Sequence, residues 1–244
     1  MTWVALLLLG VAVTDLVRAV RPAPVVEECV GASTAVWVGL LAGLTGPRDL
    51  AALAVIAVVV VVWGQTVRRA LDGGPAWWSL STLAVALVLA LLVSGWAGTA
   101  DGLLGAWLQH TRVPSLQGVS ADRVLLVAGV LGANLATGNV LVHLVLAATG
   151  TVSPAVQHTP ADPEEQLKGG RLLGPMERLF IVGLALAGEW TAASIVVAAK
   201  GLLRWPELQS RREQGLIHQL TEYFLVGSFV SWLVALGSLA LLAR

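Results

Sequence analysis

Long apolar runs separated by short polar punctuation dominate the chain. The clearest are Leu50 to Thr66, Trp78 to Gly98, Val124 to Thr149, Leu179 to Ala199 and Tyr223 to Ala243. A helix rises about 1.5 Å per residue and a bilayer core is about 30 Å thick, so runs approaching 20 residues match a membrane crossing. Trp3 to Thr14 and Gly31 to Leu44 are shorter and would have to borrow flanking residues, thin the bilayer or sit inside a bundle. The pattern predicts an all-α, polytopic transmembrane helical bundle of about seven membrane segments, within a range of five to eight. Arg21-Pro22-Ala23-Pro24, Gly46-Pro47-Arg48-Asp49 and Asp72-Gly73-Gly74-Pro75 supply the breakers between runs.

Two polar stretches organise the rest. Thr151 to Gly170 carries Pro154, Pro160, Pro163, Asp162, Glu164 and Glu165 and reads as a solvent-exposed linker. It divides the chain into amino-terminal membrane helices (1–150), the linker (151–170) and carboxy-terminal membrane helices (171–244). Arg204 to Glu222 is a second polar connection, where Leu216, Ile217 and Leu220 suggest a short amphipathic surface helix. Trp63, Trp77, Trp78, Trp96 and Trp205 fall at run ends, where an indole suits the headgroup layer. Gly102 to Leu108 is apolar but too short to span, and reads as an interfacial helix. Basic residues divide almost evenly between alternate connections, so charge asymmetry gives no orientation.

Composition strengthens the membrane reading. Hydrophobic residues make up 57% of the 244 and charged ones only 12%, with a mean hydropathy of +0.81. A soluble domain carries about 25% charged residues, and too few polar groups are present here to cover a water-facing surface. Fifteen basic and fifteen acidic residues leave no net charge, which argues against a nucleic-acid partner. Cys29 is the sole cysteine, and His110, His143, His158 and His218 share no ligand-like spacing. Neither an internal disulfide, a metal nor a cofactor is expected. Met1 to Thr14 lacks a basic start and a small-residue cleavage pattern, and reads as a retained segment.

Candidate chemistry lies in the polar residues inside apolar runs, because a charge at the bilayer centre costs at least about 2.5 to 3.5 kcal/mol on insertion scales. Glu189 sits midway between Arg178 and Lys200, bounding an apolar run. Eleven-residue intervals return to within about 20° of the same helix face. In one straight helix Arg178, Glu189 and Lys200 therefore form a charged seam, with Glu189 deepest and Arg204 and Glu207 extending it. Glu189 is then a proton or cation site or an anchor for a polar substrate. Alternatively it is a structural glutamate, or marks a break between two half-helices of a hairpin. In the run before the linker, Gly132, Ala136, Asn139 and His143 follow the spacing of one face and read as a packing seam with polar ends. His143 is the histidine to test for proton coupling. Ser94, Thr191, Ser194, Ser228 and Ser231 can bond their own helix carbonyls. Glu177 and Glu222 lie where apolar runs begin and fit helix-start carboxylates.

The carboxy-terminal third carries an ordered set of motifs. These are Gly169-Gly170-Arg171-Leu172-Leu173-Gly174, Glu177-Arg178-Leu179, Ala187-Gly188-Glu189, Ala198-Ala199-Lys200, Arg204, Glu207, and Glu222-Tyr223-Phe224-Leu225-Val226-Gly227-Ser228 with Ser231. From about Asn139 to the end this resembles a bacterial membrane-protein family catalogued as domain of unknown function 3307. The amino-terminal half departs from that family's usual first helix, with only Asp15 comparable. The resemblance implies a multi-pass protein of the bacterial cytoplasmic (inner) membrane, and brings no established activity. No H-E-x-x-H, G-x-S-x-G, Asp-rich pair or P-loop is present, so an enzyme is the least favoured class. A membrane module with a polar intramembrane seam ranks first. A transporter or ion- or proton-permeation protein using Glu189 ranks second, and an intramembrane enzyme on a lipid-linked substrate third. The expected partners are the lipid bilayer and a second copy or another membrane protein.

Overall fold

A computed structural model describes residues 1–113, 116, 118–151, 170–209 and 214–243, and among these no strand occurs. The helices are α1 (Thr2–Val20), α2 (Val26–Leu41), α3 (Pro47–Leu71), α4 (Trp77–Leu92), a 3₁₀ turn (Ser94–Trp96), α5 (Leu103–His110), α6 (Ala121–Gly132), a π-helical segment (Ala133–Thr137), α7 (Gly138–Ala148), α8 (Gly170–Leu186), α9 (Trp190–Gln209) and α10 (Gln214–Leu242). Among the described residues four stretches are long and apolar enough to cross a bilayer: Thr2–Val20, Pro47–Leu71, Ala121–Ala148 and Tyr223–Leu242, while Trp77–Leu92 is apolar but shorter.

The boundaries follow local chemistry. Arg21 adopts extended backbone before Pro22 and ends α1. Pro47 opens α3, and Arg68 and Arg69 occupy its last turn, each where the helix favours it. Ser120 caps α6 by accepting from the Arg123 amide. The linker stretch 152–169 and the connection 210–213 lie outside the described residues, and α10 is helical from Gln214 straight into its apolar part.

Two compact units result, Met1–Thr66 with Trp78–Thr137, and Val67–Trp77 with Gly138–Arg244. In the first, α1 packs against α2, α6 and the π segment. Val4, Leu6, Leu7 and Val11 are buried, as expected of a helix apolar on every side. Close approach to α2 depends on small residues: a Cβ on Gly31 would overlap the Thr14 hydroxyl and the Gly10 carbonyl. At the start of α1, Trp3 Nε1 donates to Asp49 Oδ1 (3.0 Å) and Thr2 Oγ1 to Asp122 Oδ1 (2.6 Å). The same carboxylates accept from the Gly98 and Ala100 amides at 3.1 and 3.2 Å, and the Gly102 amide donates to the Ala42 carbonyl at 2.9 Å. The first ends of α1, α3 and α6 thus gather with the last end of α2 and the segment after α4, so successive helices run in opposite directions.

In the second unit α10 packs against α7, α8 and α9, and α8 against α7 and α9. Here the structure departs from one straight helix and matches the alternative, a break between two half-helices of a hairpin. The run Leu179 to Ala199 is two helices, α8 and α9, joined by a tight turn. Gly188 takes a left-handed conformation at φ +84°. The Gly188 amide donates to the Ala185 carbonyl and the Glu189 amide to that of Leu184, at 3.1 and 2.8 Å. This pair of bonds closes a helix at a left-handed glycine.

Candidate functional site

Each unit buries a group of charged side chains. In the first, the group forms where α1 ends and α2 begins. Asp15 and Arg18 lie one helical turn apart on α1, which puts them on one face. Arg18 Nη1 stands 2.9 Å from Asp15 Oδ1 and its Nε 3.1 Å from Glu27 Oε1 of α2. Its Nη2 donates to the Gly64 carbonyl of α3 at 3.2 Å. Trp63 Nε1 lies 3.2 Å from both Asp15 carboxylate oxygens, and Thr137 of the π segment faces the same carboxylate. Glu28, also buried, packs against Gly64, where a Cβ would overlap its side chain. Three helices are therefore tied through one guanidinium, whose planar fork can serve several acceptors at once. Among the described residues no three His, Cys, Asp or Glu side chains gather in a metal-holding group.

Trp63 departs from its expected place in the headgroup layer. It is 0% exposed and its indole serves Asp15, whereas Trp77, Trp78 and Trp96 are exposed as expected of interfacial indoles. Asp15 drew attention only in the family comparison, and Arg18, Glu27 and Glu28 none. Their signal lay in the spacing Asp15-x-x-Arg18 followed by Glu27-Glu28 at the start of the next helix, where carboxylates favour the dipole.

In the second unit the centre is Arg178 of α8, 1% exposed. Its Nη2 donates to Asn139 Oδ1 of α7 at 2.6 Å and its Nη1 to Ser231 Oγ of α10 at 3.0 Å. Gly138 makes the room: a Cβ there would stand 2.5 Å from Nε and 2.6 Å from Cζ. Glu177, beside Arg178 and also buried, adds an acidic neighbour. Asn139 and Ser231 both lie inside membrane-capable stretches, Ser231 near the middle of Tyr223–Leu242. Arg178 is thus a buried charge bonded to two membrane-capable stretches.

The expected seam of Arg178, Glu189 and Lys200 does not form, because the turn at Gly188 interrupts the helix that would carry it. Glu189 is exposed in that turn, next to exposed Trp190. The side chains of Lys200, Arg204, Glu207 and Glu222 lie outside the described residues, and Tyr223 is half-buried at the start of the last membrane-capable stretch. Neither Glu177 nor Glu222 begins a helix, since α8 starts at Gly170 and α10 at Gln214. The face proposed through Gly132, Ala136, Asn139 and His143 is also broken. The π winding between Ala133 and Thr137 interrupts the regular helical spacing on which that face depends. Gly132 meets Ala12 of α1, and Asn139 meets Arg178. His143 is half-buried on α7. Ser94 and Ser194 return bonds to their own helices as expected, but Ser231 serves Arg178 instead.

No family model, curated protein or solved structure matches this chain.

Proposed function

We propose that this chain is a multi-pass protein of the bacterial cytoplasmic membrane, working as a non-catalytic helical module that engages a partner in or at the bilayer. About seven crossings are proposed, between six and eight: α1 to α4, the continuous α6–α7 rod and α10 make six, and the α8–α9 hairpin, which returns to the side it leaves, adds none or two. The up-and-down order of the first unit supports counting the 16-residue α2 and α4. The motifs from Asn139 onward support kinship with the family of domain of unknown function 3307.

The observation that carries the module reading is that the deep charges close on side chains of the same unit. Arg178 bonds Asn139 and Ser231, and Asp15 and Glu27 share Arg18. Groups bonded in this way hold helices together; a pathway would present them to a moving ion. The test is flux in reconstituted vesicles. Proton and monovalent-ion leak should equal that of protein-free vesicles, and Arg178→Gln and Asp15→Asn should leave it unchanged. A flux that either substitution abolishes would overturn the reading in favour of permeation. That second reading is favoured by Asp15, Glu27 and Glu28 lying buried together at one end of α1 and α2.

A further inference from the structure

The helix α5 is eight residues long, about 12 Å, and cannot span a bilayer. Its sides face three different surroundings. Leu108 is buried and Leu104 half-buried, while Leu103, Ala106 and Trp107 form an exposed apolar strip. Gln109 is exposed on a third side. Leu103 is 68% and Trp107 56% exposed, and just before the helix Leu92 and Trp96 are 75% and 73% exposed. Exposed apolar side chains with two indoles are unfavourable in water and suit the boundary between acyl chains and headgroups.

The charges around it are sorted. Asp49 and Asp122 turn inward, holding Trp3, Thr2 and the backbone at Gly98 and Ala100. The arginines at the same end, Arg48 beside Asp49, Arg123 beside Asp122 and Arg112 just beyond α5, are exposed. Asp101, just before α5, is an exposed carboxylate, so three outward guanidinium groups against one outward carboxylate leave a rim that favours phosphate.

We infer that α5 with Trp96 forms a membrane-surface anchor, its Leu103–Trp107 strip seated among the outer acyl chains and Arg48, Arg112 and Arg123 held to the phosphates of anionic lipid headgroups. This rests on the membrane reading above. The exposed apolar side chains that lead along the chain from Leu92, at the end of apolar α4, through Trp96 to Leu103 argue for lipid over a protein partner as the occupant.

Single spin labels at positions 103, 107, 109 and 58, in full-length protein carrying Cys29→Ser and reconstituted in vesicles, test the placement. Labels at 103 and 107 should collide with lipid-soluble oxygen more than with a water-soluble nickel chelate, and the label at 109 the reverse. Val58 of α3, 62% exposed, is the control and should report the acyl region. A lipid signal at 58 with water-exposed labels at 103 and 107 overturns the anchor alone. Labels at 103 and 107 shielded from both reagents also overturn it, by indicating a protein occupant. Water exposure at 58 overturns the membrane reading itself. For the arginines, Tm in nanodiscs containing phosphatidylglycerol should exceed that in phosphatidylcholine, and R48Q/R112Q/R123Q should abolish the difference. Equal Tm of the native protein in both lipids, or an undiminished difference in the triple variant, would overturn the headgroup assignment.

Discussion

A buried guanidinium or carboxylate is tolerated only when its neighbours are fixed, and that makes single atoms consequential. Removing one partner of a buried ion pair costs about 3 to 5 kcal/mol, because the other is left uncompensated. Asp15→Ala strips Arg18 and Trp63 of one acceptor and should lower Tm in detergent strongly. Asp15→Asn keeps an oxygen for the Trp63 indole and should cost less; equal losses would show that the indole bond adds nothing. At Gly138 the added methyl of an alanine meets the guanidinium of Arg178. Overpacking of that kind costs about 1 to 3 kcal/mol. Combining Gly138→Ala with Arg178→Met should therefore destabilise by less than the sum of the two single changes, measured as a double-mutant cycle. The sequence made Arg178 and Asn139 visible as polar residues in apolar surroundings. It did not show that they meet, since a contact 39 residues apart depends on how α7 and α8 pack. Ser231 is hidden for a related reason: a serine can always bond its own helix, and only the arriving guanidinium reveals another use.

Among the helices, the apolar runs were legible wherever hydropathy alone sets the element. Leu50 to Thr66 lies inside α3, and Val124 to Thr149 closely follows the rod from Ala121 to Ala148. Hydropathy was blind to winding. Neither the π segment nor the turn at Gly188 changes average apolarity, yet each decides which side chains share a face. Gly188 did carry a signal, since a glycine within an apolar run is a natural stop for a helix. At φ +84° an alanine is strained by about 1 to 2 kcal/mol. Gly188→Ala should destabilise accordingly. Gly237, inside α10 with nothing near its missing Cβ, is the contrast. Gly237→Ala should stabilise by roughly 0.5 to 1 kcal/mol by restricting the unfolded chain. A destabilising Gly237→Ala would mean that a neighbour occupies that face.

For the molecule as a whole, the sole cysteine offers a test of whether the first unit crosses a membrane. Cys29 is exposed in α2, close to the Arg18 and Glu27 group at the last end of α1. Asp101 belongs to the segment held at the first end of α1. An impermeant maleimide applied outside sealed vesicles of uniform orientation should modify only one of two proteins: the native chain through Cys29, or a Cys29→Ser, Asp101→Cys variant. Labelling of both from the same side would contradict α1 as a crossing. Composition made membrane residence legible at once. The pairing of helix ends was not, because it rests on Thr2, Trp3, Asp49 and Asp122, ordinary polar residues whose partners are remote in sequence.

The company that Arg178 keeps also bears on the order in which the chain is made. α8 carries Arg171, Glu177, Arg178 and an internal proline, and is not among the stretches apolar enough to cross unaided. Ser231, one of its two identified anchors, follows 53 residues later. During synthesis α8 would leave the ribosome with Asn139 already made and Ser231 still to come, so its arginine would gain the second of these partners only when α10 arrived beside it. In a chain stopped after Gln209 that segment should be cut by added protease, whereas in the chain that carries α10 it should resist cleavage.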